Sequence, residues 1–203
     1  MHKVVATFYK QSGRGGNHFL IYPSHTEKGE KLKGQILARA AELGLRVYDS
    51  SAKDPASLDP DIFILGFQTN PYKFMRRSRV LLFPSAFEGF PNTLLEAMQT
   101  GLPVISADCQ SGPREIMAPD SDLTTSTPQA EYTPYGILCP ALPTAEILDG
   151  VKPEIAKEWL TALFALLDDT TLRQSFIDNG YRRVKDFDRE RILQSWRESL
   201  SLP

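Results

Sequence analysis

With 203 residues, 41% of them hydrophobic and 24% charged, the chain has an ordinary globular composition and enough length for one well-packed domain with a helical tail. A formal net charge of −2 provides no electrostatic footprint for nucleic acid, and Arg76, Arg77 and Arg79 read as a solvated face near a helix end. No run approaches the roughly eighteen apolar residues of a membrane span, and MHKVVATFYKQS lacks the apolar core and cleavage site of a signal peptide, so the expected compartment is the cytoplasm.

The two cysteines, Cys109 and Cys139, have no CxxC partner and read as buried reduced thiols. In VVATFYK, Val4, Val5 and Phe8 have helical spacing, which predicts the end of a helix, with SGRGG as a following turn. HFLIY (18–22) is the first clear strand. KLKGQILARAAELG follows as a helix, with Leu32, Ile36, Leu37, Ala40 and Leu43 on one face and Gly44 ending it.

LRVYDS is a second strand, SSAKDPASLDPD a loop, and IFILGF (62–67) a third strand with Gly66 at its exit. Pro71 opens a short helix in NPYKFMRRS, and RVLLFPS (79–85) is a fourth strand stopped by Pro84. After EGFPN come the helix TLLEAMQTG, the strand LPVISAD and a short helix GPREIM. The proline-punctuated APDSDLTTSTPQAEYTP is a loop before a last strand, YGILCP. From Pro153 onward three helices close the chain: PEIAKEWLTALFALLDD, TLRQSFIDNGYRRV and DRERILQSWRESL. Short apolar runs alternating with helices predict an α/β fold with an open, doubly wound, Rossmann-like parallel sheet.

In such sheets ligands bind at the carboxyl ends of the strands, where GFQTNPY, AFEGFPNT and ADCQSGPRE lie. Residues 88–96, EGFPNTLLE, hold two carboxylates around a helix start. One reading is a capping box between Thr93 and Glu96. The other is chemical. A helix N-terminus suits a phosphate, and the carboxylates, which would repel it, suit sugar hydroxyls on either side. That arrangement fits a nucleotide-sugar.

The run from LGFQTNPYKFM through EGFPNTLLEAMQTGLPV to SGPREIM resembles the donor half of retaining glycosyltransferases with the GT-B fold, in particular glycosyltransferase family 4. Their signature is two glutamates separated by seven residues, here Glu88 and Glu96. The resemblance extends more thinly from about residue 18 to about 200 and implies that residues 1–203 form one donor-binding domain.

It also implies roles. Glu88 would hydrogen-bond the donor sugar as the candidate catalytic residue, and Glu96 the ribose. Amides of Gly89, Phe90, Asn92 and Thr93 would line the diphosphate. Phe67 and Gln68 would sit beside the nucleobase, and Arg114 is a further donor-binding candidate whose competing reading is a charge on an exposed helix. The donor is expected to be a nucleoside diphosphate-sugar, with uridine as the base. No metal or other cofactor is expected, because amides and cations stand in for one. Asp59, Pro60 and Asp61 form a DxD, but it precedes a strand instead of ending one.

Two family features are missing: the acceptor domain, and a GRLxxxKG-like motif whose arginine and lysine neutralise the leaving diphosphate. His2, His18 and His25 read as surface or strand-edge residues. The expected partners are the nucleotide-sugar donor and either a separate acceptor-binding domain or chain or a second copy. Peripheral contact with the inner face of a membrane is compatible with the resemblance, and nucleic acid is not expected. The last helix, with Ile192, Leu193, Trp196 and Leu200, is the candidate docking stripe.

The competing function is a non-catalytic nucleotide-sugar-binding module or partner subunit. A dinucleotide-binding domain is disfavoured because no GxGxxG follows a strand, and a nucleotide-sugar epimerase would not be expected to carry EGFPN and SGPREI.

Overall fold

The computed structural model describes residues 5–10, 17–22, 27–51, 60–142 and 151–200, with side chains described from residue 30 within those ranges. The expected turn at SGRGG, His2, His25 and Asp59 lie outside the described residues, as do the side chains of His18 and the rest of its strand.

Among the described residues eight strands form one sheet: β1 (Val5–Lys10), β2 (Asn17–Tyr22), β3 (Val47–Asp49), β4 (Ile62–Ile64), β5 (Ser78–Phe83), β6 (Val104–Ala107), β7 (Glu131–Thr133) and β8 (Gly136–Cys139). Their spatial order is β3-β4-β2-β1-β5-β6-β8-β7. Among the described residues the α-helices are α1 (Glu27–Glu42), α2 (Tyr72–Met75), α3 (Asn92–Gln99), α4 (Pro113–Met117), α5 (Pro153–Asp168), α6 (Thr170–Val184) and α7 (Arg189–Ser199). Without edge strands β3 and β7, the order β4-β2-β1-β5-β6-β8 is the 3-2-1-4-5-6 arrangement of a doubly wound sheet.

Two strands run against the rest. β7 makes an antiparallel hairpin with β8, so the polar segment expected as loop contributes an edge strand through Glu131–Thr133. β1 pairs antiparallel with both β2 and β5. The helix expected from Val4, Val5 and Phe8 is therefore corrected to a strand. VATFYK is rich in β-branched and aromatic residues, and two flanking strands supply the backbone partners that a short isolated helix lacks.

Strand alternation divides the core into layers. Leu81, Phe83, Val104 and Leu138 pack with Leu94, Met98, Ile116 and Met117 under α2, α3 and α4. Val80, Ile105, Ile137 and Cys139 face the other way, against Ala162, Leu163 and Leu166 of α5. α1 covers Ile62 and Ile64 through Ala40, Ile36 and Leu37. The paired positions Ile62, Phe19, Phe8 and Val80 share one sheet face, which puts α1 and α5 on the same side.

Helix ends follow the local chemistry. Gly44, at φ 67°, closes α1 in a Schellman turn, with Leu45 N donating to Ala40 O and Gly44 N to Ala41 O. The Asp169 side chain caps α6 by accepting from Leu172 N at 2.8 Å. α6 joins the two layers, with Phe176 in the α5 core and Gly180 against Met98 of α3.

Candidate functional site at the carboxyl edge of the sheet

β4, β5 and β6 run in the same direction, so their exit loops meet at one edge, beside the point where the strand order reverses between β1 and β5. Side chains tie these loops together. Tyr72, at the start of α2, donates to Glu96 Oε1 across 3.4 Å, a long contact. Ser111, after β6, donates to the Glu88 carbonyl at 2.9 Å.

Glu88 is 1% exposed. Its Oε1 accepts from Ser85 Oγ at 2.8 Å, which explains the PS that precedes it in the sequence. Burying a carboxyl group is costly without polar partners, and the Ser85 hydroxyl supplies one. The Cys109 thiol lies near it and is pushed up to about 11, first by burial and then by the Glu88 charge.

α3 starts from Pro91, and no side chain caps it. The Thr93–Glu96 capping box is therefore not made. Thr93 and Glu96 both lie inside the helix, and Pro91, not a polar residue, holds the cap position. Gly89, Phe90 and Asn92 are exposed around this helix start, and Thr93 and Glu96 are half-buried. The Phe90 ring packs on Phe187, with centroids 5.4 Å apart. The charge of Glu96, followed by burial and their hydrogen bond, raises the Tyr72 phenol above its ordinary range.

The turn is braced from the β6–α4 side. Ser111 holds φ 57° and Gly112 φ 83°, both in the left-handed region. A Cβ on Gly112 would come within 2.6 Å of Gly89 O and 2.5 Å of Pro91 Cδ, so only glycine permits this approach.

Phe67 and Gln68 follow Gly66, which turns the chain at φ 61° beyond β4. Phe67 is 71% exposed, whereas the Gln68 amide turns back to donate to Leu65 O at 2.8 Å.

Arg114 is not on an exposed face. It is 6% exposed, and each guanidinium nitrogen has protein partners. Nε and Nη2 donate to Asp108, the latter at 2.6 Å. Nη1 donates to Ser121 and Glu131, and Nη2 also to Glu131 at 2.6 Å. These partners, Glu131 first, raise its already high pKa. Asp108 also accepts from Thr127 N, so Arg114 fastens β6, α4, the 121–127 segment and β7 together. Sequence reasoning missed this role because Glu131 is distant in the chain and was read as part of a loop.

Asp61 of the DxD is held by Arg46, with Nη2–Oδ1 at 2.9 Å, and no His, Cys, Asp or Glu cluster suited to a metal occurs among the described residues. No helix among them is long and apolar enough to cross a membrane. Ser85, Cys109, Ser111 and Tyr72 are the site neighbours that had been given no role. Only their places within PS, DCQSGP and NPY hinted at one.

The family model for glycosyl transferases group 1 matches residues 19–132. An uncharacterized glycosyltransferase of Methanocaldococcus jannaschii is 38% identical over 188 residues, covering 90% of this chain and 45% of the relative. N-acetylgalactosamine-N,N'-diacetylbacillosaminyl-diphospho-undecaprenol 4-alpha-N-acetylgalactosaminyltransferase of Campylobacter jejuni is 26% identical over 181 residues, covering 89% of this chain and 42% of the relative. The chain thus spans less than half the length of these curated relatives. Among solved structures, Anabaena HepE in complex with UDP matches with a TM-score of 0.61 at 19% identity, over 87% of this chain and 38% of that one. That likeness establishes the α/β fold of GT-B type.

Proposed function

Since this chain belongs to the glycosyl transferases group 1 family, we propose that it is the donor-binding part of a retaining GT-B glycosyltransferase of family 4, taking a UDP-sugar. Residues 1–203 form that domain, and an acceptor-binding domain or chain completes the cleft. The observation that carries the proposal is the uncapped start of α3 between Glu88 and Glu96, at the edge where the strand order reverses. Its amides at Gly89, Phe90 and Thr93 face a diphosphate, and that of Asn92 reaches one only by releasing Phe90 O, to which it donates at 3.0 Å. Glu96 accepts from the ribose and Glu88 from the sugar. A bound sugar has to share Glu88 with Ser85, so hydroxyl binding replaces or joins that contact. Phe67 offers the base a face, while Gln68 reaches it only by releasing Leu65 O.

The Campylobacter relative is named as a 4-alpha-N-acetylgalactosaminyltransferase with a diphospho-undecaprenol-linked acceptor, and Anabaena HepE binds UDP. The first name supports an N-acetylhexosamine as the transferred sugar and a lipid-linked acceptor, and the second a UDP-linked donor; a UDP-hexose or UDP-N-acetylhexosamine donor, a glycan or lipid-linked acceptor and work at the cytoplasmic face of a membrane are proposed with them. No metal or further cofactor is proposed. The exposed stripe of Ile192, Leu193, Trp196 and Leu200 on α7 is where the acceptor-binding part, or a second copy, docks. With Arg114 committed to Asp108 and Glu131, the diphosphate depends on amides and on cations brought by other parts of the protein.

Thermal unfolding in the presence of UDP tests this. At ten times its Kd, UDP stabilises by about 1.4 kcal/mol, or roughly 3–6 °C for a chain of this size. Glu96→Gln should abolish the shift, and Glu88→Gln should leave UDP binding but remove any further effect of a UDP-sugar. A wild-type chain that ignores millimolar UDP would refute donor binding. UDP binding without any sugar effect would favour the non-catalytic module.

A further inference from the structure

The loop after β6 makes three independent approaches to the Glu88 turn. Ser111 Oγ donates to the Glu88 carbonyl at 2.9 Å, Gly112 packs against Gly89 O and Pro91, and the Cys109 thiol feels the Glu88 charge. Ser111 makes its contact from φ 57°, a conformation uncommon for a residue with a Cβ. A glycine there would be easier on the backbone but would carry no hydroxyl. The residue that costs stability is the one that can reach Glu88.

We propose that Ser111 is a positioning residue for Glu88, its hydroxyl fixing the turn so that the Glu88 carboxylate meets the sugar of the bound donor. This rests on the donor-binding reading above. It separates two properties that ordinary packing would keep together, because strain resides in the Ser111 backbone and positioning in its hydroxyl.

Two substitutions separate them. Ser111→Ala removes the hydroxyl and keeps the strain, whereas Ser111→Gly removes both. Ser111→Gly is expected to melt above Ser111→Ala. Both variants should lose about fivefold in the affinity ratio of UDP-sugar to UDP, the effect of one hydrogen bond, on top of any loss in UDP binding itself, because the Gly89 amide belongs to the same peptide as the Glu88 carbonyl. The probe is whichever of UDP-glucose, UDP-galactose and UDP-N-acetylglucosamine the wild type binds most tightly.

A second readout needs no ligand. Cys109 should react with a thiol reagent at pH 8 about tenfold faster in both variants, as the freed turn uncovers it, while Cys139 under α5 stays slow. An unchanged sugar ratio, an unchanged Cys109 rate, or restoration of either by glycine overturns the proposal. A wild-type chain that binds no UDP defeats the donor-binding reading instead, and the Cys109 rates then decide whether Ser111 holds the turn.

Discussion

Replacing Arg114 with methionine keeps an unbranched apolar stem and removes the guanidinium, leaving Asp108 without the cation that neutralises it. The Asp108 side chain is 1% exposed and that of Arg114 7%, so this arm is a buried pair, and removing one member of such a pair costs about 3–5 kcal/mol. Glu131 is 37% exposed at its side chain, and that arm adds at most about 1 kcal/mol. For a chain of this size the loss lowers Tm by roughly 6–20 °C. Urea unfolding of Arg114→Met, Asp108→Asn and the double variant reads it directly. The double variant should recover much of the loss, because neither partner is then left as a buried orphan. UDP affinity, measured well below the new Tm, should be unchanged. If Arg114→Met stays within about 1 kcal/mol of wild type and loses UDP binding, Arg114 is a ligand contact and the account of it as an internal brace is wrong.

Further outcomes follow from the same geometry. Gly112→Ala should cost about 2–4 kcal/mol, combining left-handed strain with a Cβ only 2.6 Å from Gly89 O; a urea midpoint close to wild type would contradict that packing. Folded Cys109 and Cys139 are pushed up to about 11 and about 12, from 9.0. Above pH 9 the unfolded chain therefore binds fewer protons than the folded one, so stability is intact below pH 9 and falls as pH rises toward these values. The urea midpoint should decline from pH 8 to 10.5, and less steeply in Cys139→Ala; equal slopes would remove the Cys139 thiol as a cause. The purified 203-residue chain should transfer sugar slowly or not at all. Brisk turnover would show that the positive charge needed for the leaving group is already present.

The elements legible in the sequence were those whose local pattern and tertiary place agree. RVLLF and PVISA are short apolar runs that belong in a buried parallel sheet, and Gly44 closes α1 as its position suggests. The carboxylate pair around a helix start was likewise readable, because spacing along one chain sets it. What could not be read depends on partners distant in sequence. The direction of β1 is decided by the strands on either side, and Glu131 becomes a neighbour of Arg114 only when β7 folds back on β8. Nothing local to Ser111 announces that its hydroxyl reaches across to residue 88.

The reversed strand has a consequence for cooperativity. Among the described residues, the parallel trio β3-β4-β2 is joined to β5-β6-β8 by backbone pairing only through β1. Among the described side chains, the trio packs on α1 through Ala40, Ile62 and Ile64, and the other half packs on both faces. Amide protons of β4 should therefore exchange with solvent through a partial opening well below the global unfolding free energy, while those of β5 and β6 wait for complete unfolding. Such an opening would separate the Phe67 loop from α3, so under the donor-binding proposal ordering at this seam becomes part of the free energy of nucleotide capture.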